Sequence, residues 1–153
     1  MKIMFYGEEE RRYPEGVVQR LNDYLRYLQG KQVEFLYCGM NRFELLAAIG
    51  VKKLECTLPA VRTLVAGYPE QVWDELLYDR MLLPCAPLDL SCYRDEDGEI
   101  KLPQEVEQAL TAECTEWALK QADVLVCYVS DPEGNAARIR MRAEEMKKSI
   151  ILL

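Results

Sequence analysis

Short apolar runs alternate with longer stretches in which apolar side chains recur every three or four residues. The runs are of strand length, and most of them end at a glycine, a proline or a polar residue. A run of four to eight apolar residues bounded in this way predicts a buried strand. The predicted strands cover residues 2–6, 33–38, 61–66, 88–93, 123–129 and 149–153.

The stretches between the runs have the periodicity of amphipathic helices. In the first of them, Val17, Leu21, Leu25 and Leu28 form one apolar stripe, and Gly30 follows as a stop signal. Pro103 suits the first turn of a long helix that ends near Gln121. The predicted helices cover residues 16–29, 42–54, 70–79, 103–121 and 135–147.

Regular alternation of strand and helix is typical of βαβ units. The unbroken run at 123–129 favours an interior parallel strand that is covered on both faces. We therefore expect an α/β fold, a three-layer sandwich around a mostly parallel sheet of five to six strands. Because neither a linker nor an internal repeat is visible, residues 1–153 are predicted to form one domain.

Composition and charge argue against several classes of function. The chain has 19 basic and 26 acidic residues, a net charge of -7, and an acidic protein repels phosphate backbones. General nucleic-acid binding is therefore not expected. Histidine is absent, which excludes catalytic triads and histidine-ligated metals. We expect neither a metal nor a cofactor.

The remaining compositional signals favour a cytoplasmic location. No apolar run reaches the ~20 residues of a membrane helix, and the start MKIMFYGEEE is a poor signal peptide. The six cysteines show no C-x-x-C spacing, so they are predicted to be free thiols in a reducing compartment. Association with a membrane is not expected.

The turns that follow the strands are where a site is expected. In open α/β sheets, ligands bind beyond the carboxyl ends of the strands, where helix N-termini present free N–H groups to anions. The informative turns are those at residues 7–12, 38–44, 67–71 and 130–138.

Two of these turns lie in segments that resemble a known family. CGMNRFELLAA at residues 38–48 is similar to the GGAxGFDxLAA segment of the SLOG superfamily. ADVLVCYVSDPEGNAARIRMRAEEMKKSIILL at 122–153 resembles SDVLIAYxxxxxGGTxxTxxYAxxxGxxIINL of its small, stand-alone YpsA-like branch. FYGEE at 5–9 stands where that branch has FTGHR. The resemblance implies a Rossmann-like fold with a nucleotide-binding cleft.

The family glycines are only partly retained. Gly7, Gly39 and Gly134 remain, whereas Cys38 and Arg42 stand where the family has glycine. Glu8 replaces the family histidine, Glu44 an aspartate, and Asn135 the second glycine of the last turn. The related Lonely-guy hydrolases use PGGxGTxxE, and the matching PEGNAARIR places Arg140 at the position of the catalytic glutamate. The resemblance therefore does not support glycosidase chemistry.

Several side chains near these turns have both a functional and a structural interpretation. Arg42 and Arg138 could hold an anionic, phosphate-bearing ligand, or Arg42 could pair with a nearby glutamate and fill the pocket. Glu44 could position a ribose hydroxyl or complement the helix dipole. Tyr68 could stack on a base.

Three hypotheses follow. The first is a module that binds a nucleotide-derived small molecule as a sensor, regulator or sequestering protein, without catalysis. Its predicted ligand-binding residues are Gly7, Glu8, Gly39, Arg42, Glu44, Tyr68, Gly134, Asn135 and Arg138. The second is a nucleoside-monophosphate glycosidase-like hydrolase that uses Glu44 or Glu8. The third is an interaction protein with a decayed pocket. Whether the chain forms a homodimer stays open.

Overall fold

A computed structural model describes residues 1–38, 41–71 and 73–153. It contains four helices and six strands within these residues. The strands are β1 (Lys2–Gly7), β2 (Val33–Tyr37), β3 (Ala60–Val65), β4 (Arg80–Leu82), β5 (Val124–Tyr128) and β6 (Ser149–Leu152). The helices are α1 (Glu15–Tyr27), α2 (Arg42–Lys53), α3 (Gln104–Gln121) and α4 (Asn135–Glu145).

The six strands form one parallel sheet in the order β4-β3-β2-β1-β5-β6. All five residues of β5 are buried, and this strand lies between β1 and β6. The expected α/β fold and the interior position of the 123–129 run are therefore confirmed. The sheet order reverses between β1 and β5, because β2 to β4 extend on one side of β1 whereas β5 and β6 extend on the other.

The alternation of side chains along each strand divides the core into two layers. Ile3 and Phe5 of β1 pack with α1 and α2 on one face of the sheet, and Met4 packs with α3 and α4 on the other. The helices therefore cover both faces, which makes the fold a Rossmann-like three-layer sandwich.

Two predictions for the middle of the chain are wrong. The expected helix over 70–79 is a series of turns in its described residues, where Asp74 accepts a hydrogen bond from the Leu76 amide at 2.8 Å. The expected strand over 88–93 is not formed either. Asp89 accepts from the Ser91 amide at 3.0 Å, and Ser91–Tyr93 is one turn of 3-10 helix. Side-chain bonds of this kind favour turns over regular structure.

The last strand on this side of the sheet is instead the short β4. Its pairing with β3 begins where Thr63 meets Arg80 and ends after three residues, just before Leu83 and Pro84. Proline has no amide hydrogen to donate to a sheet, so β4 does not extend further.

Candidate functional site

The carboxyl ends of β1 and β5 meet at the point where the sheet order reverses. Gly7, the last residue of β1, lies opposite Tyr128, the last residue of β5. After β1 the chain continues with Glu8, and after β5 it continues through a turn to α4. This edge between β1 and β5 is where a ligand site is expected in an open parallel sheet.

A cleft of about 820 Å³ opens beside this edge, between α3 and α4. Gln104, Gln108 and Thr111 line it from α3, and Asn135 and Arg138 line it from α4. Tyr6 of β1 contributes its ring to the lining as well. The volume lies in the range of small-molecule sites, which is roughly 300–1,000 Å³.

The length of α3 produces this cleft. Its 18 residues span about 27 Å, yet its buried residues begin only at Cys114. The first ten residues extend beyond the core at the carboxyl edge of the sheet, where a helix that follows a parallel strand begins. Polar side chains are therefore tolerated there, and they form one wall of the cleft.

Arg138 is the cation of the opposite wall. Its exposed side chain forms no ion pair or hydrogen bond with residues 1–38, 41–71 and 73–153. Arg142, one turn later, is instead held by Glu116 and Glu145, each at 3.0 Å. Arg138 is thus available to an anionic group in the cleft, together with the exposed amide of Asn135.

Tyr6 presents a protonated phenol. Its burial, and after it the charges of Glu44 and Glu8, raise the pKa of Tyr6 to about 12. At neutral pH the hydroxyl can therefore donate a hydrogen bond to a ligand in the cleft.

The amino terminus of α4 is occupied by the protein's own carboxylate. The Ala136 amide donates to Glu8 Oε1 at 3.0 Å. The backbone of Glu8 is also held, because its amide donates to Tyr128 O at 3.1 Å and Tyr13 donates to its carbonyl at 3.0 Å. A phosphate could reach these helix amides only if Glu8 moved away.

Two glycines of the predicted site, Gly7 and Gly134, allow close packing. A Cβ on Gly134 would overlap Glu8 Oε1, so a glycine there makes room for the carboxylate. A Cβ on Gly7 would stand 2.6 Å from the Phe43 ring, so a glycine there lets α2 approach β1. Neither Gly7 nor Gly134 lines the cleft.

The amino terminus of α2 is closed by Asn41, which was not among the predicted site residues. Its Oδ1 accepts from the Glu44 amide at 2.9 Å, and its Nδ2 donates to Gly7 O at 3.4 Å. An asparagine three residues before a glutamate and an apolar run is a helix-start signal that could have identified it. Gly39, a predicted ligand residue, lies outside the described residues.

Arg42 and Glu44 are not among the residues that line the cleft. Arg42 Nε lies 3.6 Å from Glu9 Oε1, and both side chains are more than half exposed. The pairing of Arg42 with a glutamate is thus present, but this exposed pair does not fill the cleft. Glu44 is only 1% exposed and faces the interior, where its charge adds to the effect of burial in raising the pKa values of Tyr37 and Cys38.

Tyr68 lines a second cavity, of about 470 Å³, beyond β3 and β4. Helix α3 separates the two cavities, because Leu110 packs so closely on Gly67 that a Cβ there would lie 2.9 Å from Leu110 Cβ. The predicted site residues are therefore dispersed. Asn135 and Arg138 line the cleft, Glu8 caps the start of α4 without lining the cleft, and Tyr68 lies elsewhere.

No protein-family model matches this chain, and no curated protein matches it either.

The described residues contain no group of three or more Cys, Asp or Glu side chains arranged to hold a metal ion. Within the same residues, none of the helices combines the length and apolar character that crossing a bilayer requires.

Proposed function

We propose that this protein binds a nucleotide-derived small molecule in the cleft between α3 and α4, as a sensor, regulator or sequestering protein. The observation that carries the proposal is the placement of Arg138. A guanidinium group without a carboxylate partner among the described residues lines a cleft of ligand size, at the point where parallel sheets bind their ligands.

The chemistry of the two walls suits the parts of such a ligand. A guanidinium group binds a phosphate or carboxylate through two parallel hydrogen bonds. The opposite wall offers the amides of Gln104 and Gln108, which can bind ribose hydroxyls, and the Thr111 oxygen, which can only accept because its hydroxyl donates to Glu107 O. Because Glu8 already accepts from the Ala136 amide at the start of α4, we assign the anionic group of the ligand to Arg138.

The environment of three nearby acidic groups, Glu116, Glu44 and Glu8, favours binding without catalysis. A general acid for glycosidic-bond cleavage needs a raised pKa. Glu116 in the cleft has a lowered pKa, chiefly because Arg142 donates hydrogen bonds to it. Glu44 faces the interior, and Glu8 is engaged by the Ala136 amide.

A thermal-shift panel of nucleotides, cyclic nucleotides and ADP-ribose derivatives tests the proposal. A ligand at 100 times its Kd adds about 2.7 kcal/mol to the free energy of unfolding. We expect Arg138→Gln to abolish that shift. Arg20→Gln is the matched control, since Arg20 is an exposed helical arginine on α1, which packs on the opposite face of the sheet.

Three results would overturn it. If no compound shifts the melting curve, the cleft is not a nucleotide site. If the shift persists in Arg138→Gln, the ligand binds elsewhere. Release of free base from AMP by the wild-type protein would instead support the hydrolase hypothesis.

An interaction protein is the second candidate, and Glu8 is the observation that favours it. An internal carboxylate bound to the α4 amide is what a decayed phosphate site would contain. Leu45 and Ile49 on α2 also expose 40% and 39% of their surface. A negative ligand panel together with a homodimer in sedimentation experiments would favour this candidate.

A further inference from the structure

Two cysteines from distant parts of the chain are in contact. Cys85 follows β4, and Cys114 lies where α3 enters the core. Their Sγ atoms are 3.5 Å apart. A disulfide bond needs about 2.05 Å, so a relative movement of about 1.5 Å would bring the sulfur atoms to bonding distance.

None of the other four cysteines has such a partner. Cys38 and Cys127 are buried, and their thiols donate to the carbonyls of Cys114 and Ala136 at 3.7 and 3.8 Å. Cys56 and Cys92 are exposed. All six cysteines lie among the described residues, so the contact between Cys85 and Cys114 is the one thiol pair of the chain.

The two thiols differ in access. Cys114 is 1% exposed, whereas Cys85 is half-buried and lines the 470 Å³ cavity. A small oxidant that enters this cavity meets Cys85 first, and Cys114 lies directly behind it. This is the arrangement of an attacking thiol and a resolving thiol.

We propose that Cys85 and Cys114 form a reversible oxidation site that a hydroperoxide converts into an intrachain disulfide. The Cys85 sulfur attacks the peroxide oxygen and becomes a sulfenic acid, while the O–O bond breaks and releases water or an alcohol. The Cys114 sulfur then attacks the sulfenic sulfur, the S–O bond breaks, and the hydroxyl leaves as water with the Cys114 proton. Two thiols are oxidised and one peroxide is reduced.

The surrounding structure allows this step and sets its rate. Cys85 lies in a segment without helix or strand, so its movement towards α3 breaks no helical or sheet hydrogen bond. Burial raises the pKa of Cys85, and it raises that of Cys114 to about 12. Because the thiolate is the reactive form, oxidation is expected to be slow. The disulfide would join the segment after β4 to α3 and displace one wall of the cavity.

The test uses the full chain with Cys56→Ser and Cys92→Ser, which removes the exposed thiols and leaves four of the six. After incubation with hydrogen peroxide, the denatured protein should titrate two thiols and have lost two hydrogens by intact mass. A dithiol reductant should restore all four. The oxidised protein should also melt at a higher temperature than the reduced one.

Cys85→Ala and Cys114→Ala, each added to this background, should abolish the loss of hydrogens. Cys127→Ala is the matched control, because it removes a buried thiol outside the pair and should leave the disulfide intact. Three outcomes would overturn the proposal: an unchanged thiol count, a gain of oxygen in place of the loss of hydrogens, or a disulfide that persists in Cys85→Ala. Melting curves of the reduced variants check that each is folded.

Discussion

The starts of α2 and α4 follow Gly39 and Gly134, two of the predicted ligand-binding residues, and the two helix starts are capped differently. At α2, the neutral amide of Asn41 accepts from the Glu44 amide three residues later. At α4, the Glu8 carboxylate accepts from Ala136, 128 residues away. One cap is local in sequence, whereas the other exists only because β1 and β5 are neighbours in the sheet.

This difference has a consequence for binding. A carboxylate at a helix N-terminus both satisfies an amide and complements the helix dipole, whereas a neutral cap does only the first. The start of α4 therefore already holds a negative charge, and a phosphate there would compete with it. Under the proposed function, the anionic group of a ligand in the neighbouring cleft is therefore bound by the Arg138 side chain.

The largest expected effect comes from Gly134→Ala. Its Cβ would displace Glu8 from the start of α4, and the lost charge-assisted hydrogen bond should lower the free energy of unfolding by about 2–3 kcal/mol. Chemical denaturation measures the change. Gly16→Ala in α1 is the matched control, because its Cβ would meet only Arg20 Nη1, at 3.5 Å. Equal effects of the two substitutions would contradict the role of Gly134.

Glu8→Ala should destabilise the protein by about 1.5–2 kcal/mol, since it removes the same hydrogen bond without adding a contact. Combined with Gly134→Ala, it should add much less than its own effect, because both substitutions break one interaction. A double-mutant cycle from denaturation curves measures this coupling. Strict additivity would show that Glu8 does not depend on Gly134.

Asn41→Ala should cost about 1 kcal/mol, the usual effect of removing a side-chain helix cap. Asn41→Asp should recover part of this loss, because a carboxylate oxygen can accept from the Glu44 amide but cannot donate to Gly7 O as the Asn41 amide does. Asn41→Ala should also be additive with Glu8→Ala, since the two caps share no partner. Strong coupling between them would mean that the two helix starts form one site.

The smallest effect concerns inorganic phosphate. In the Glu8→Ala variant no carboxylate caps the start of α4, so millimolar phosphate should stabilise that variant by about 1 kcal/mol or less. Phosphate should have no such effect on the wild type. Thermal melts with sodium chloride at equal ionic strength control for screening. Equal stabilisation of both proteins would mean that Glu8 does not block an anion-binding site at the start of α4.

The accuracy of the sequence-based prediction varies along the chain for physical reasons. The run at 123–129 became β5 (Val124–Tyr128), and the helix expected over 103–121 became α3 (Gln104–Gln121). Long periodic patterns predict such elements well, because each follows from the burial of one face or stripe. Between β3 and α3, three residues suffice for β4, and the turns depend on single side chains such as Asp74 and Asp89.

The candidate site was predicted less completely than the fold. Asn135 and Arg138 line the cleft as the turn before α4 suggested, but α3 supplies the other wall, and no residue of α3 was predicted to take part. The polar first half of α3 is visible in the sequence. Its position beside α4 is not, because that depends on which strands become neighbours.

The sequence by itself therefore determined the elements that depend on local periodicity: the strand and helix alternation, the parallel sheet and the buried β5. Only the tertiary structure decided the long-range contacts at the turns, in contrast to a local cap such as that of Asn41. Side chains from distant segments meet there, and their contacts leave no periodic trace in the chain. Glu8 at the start of α4, Cys85 against Cys114, and the separation of Tyr68 from Arg138 are all of this kind.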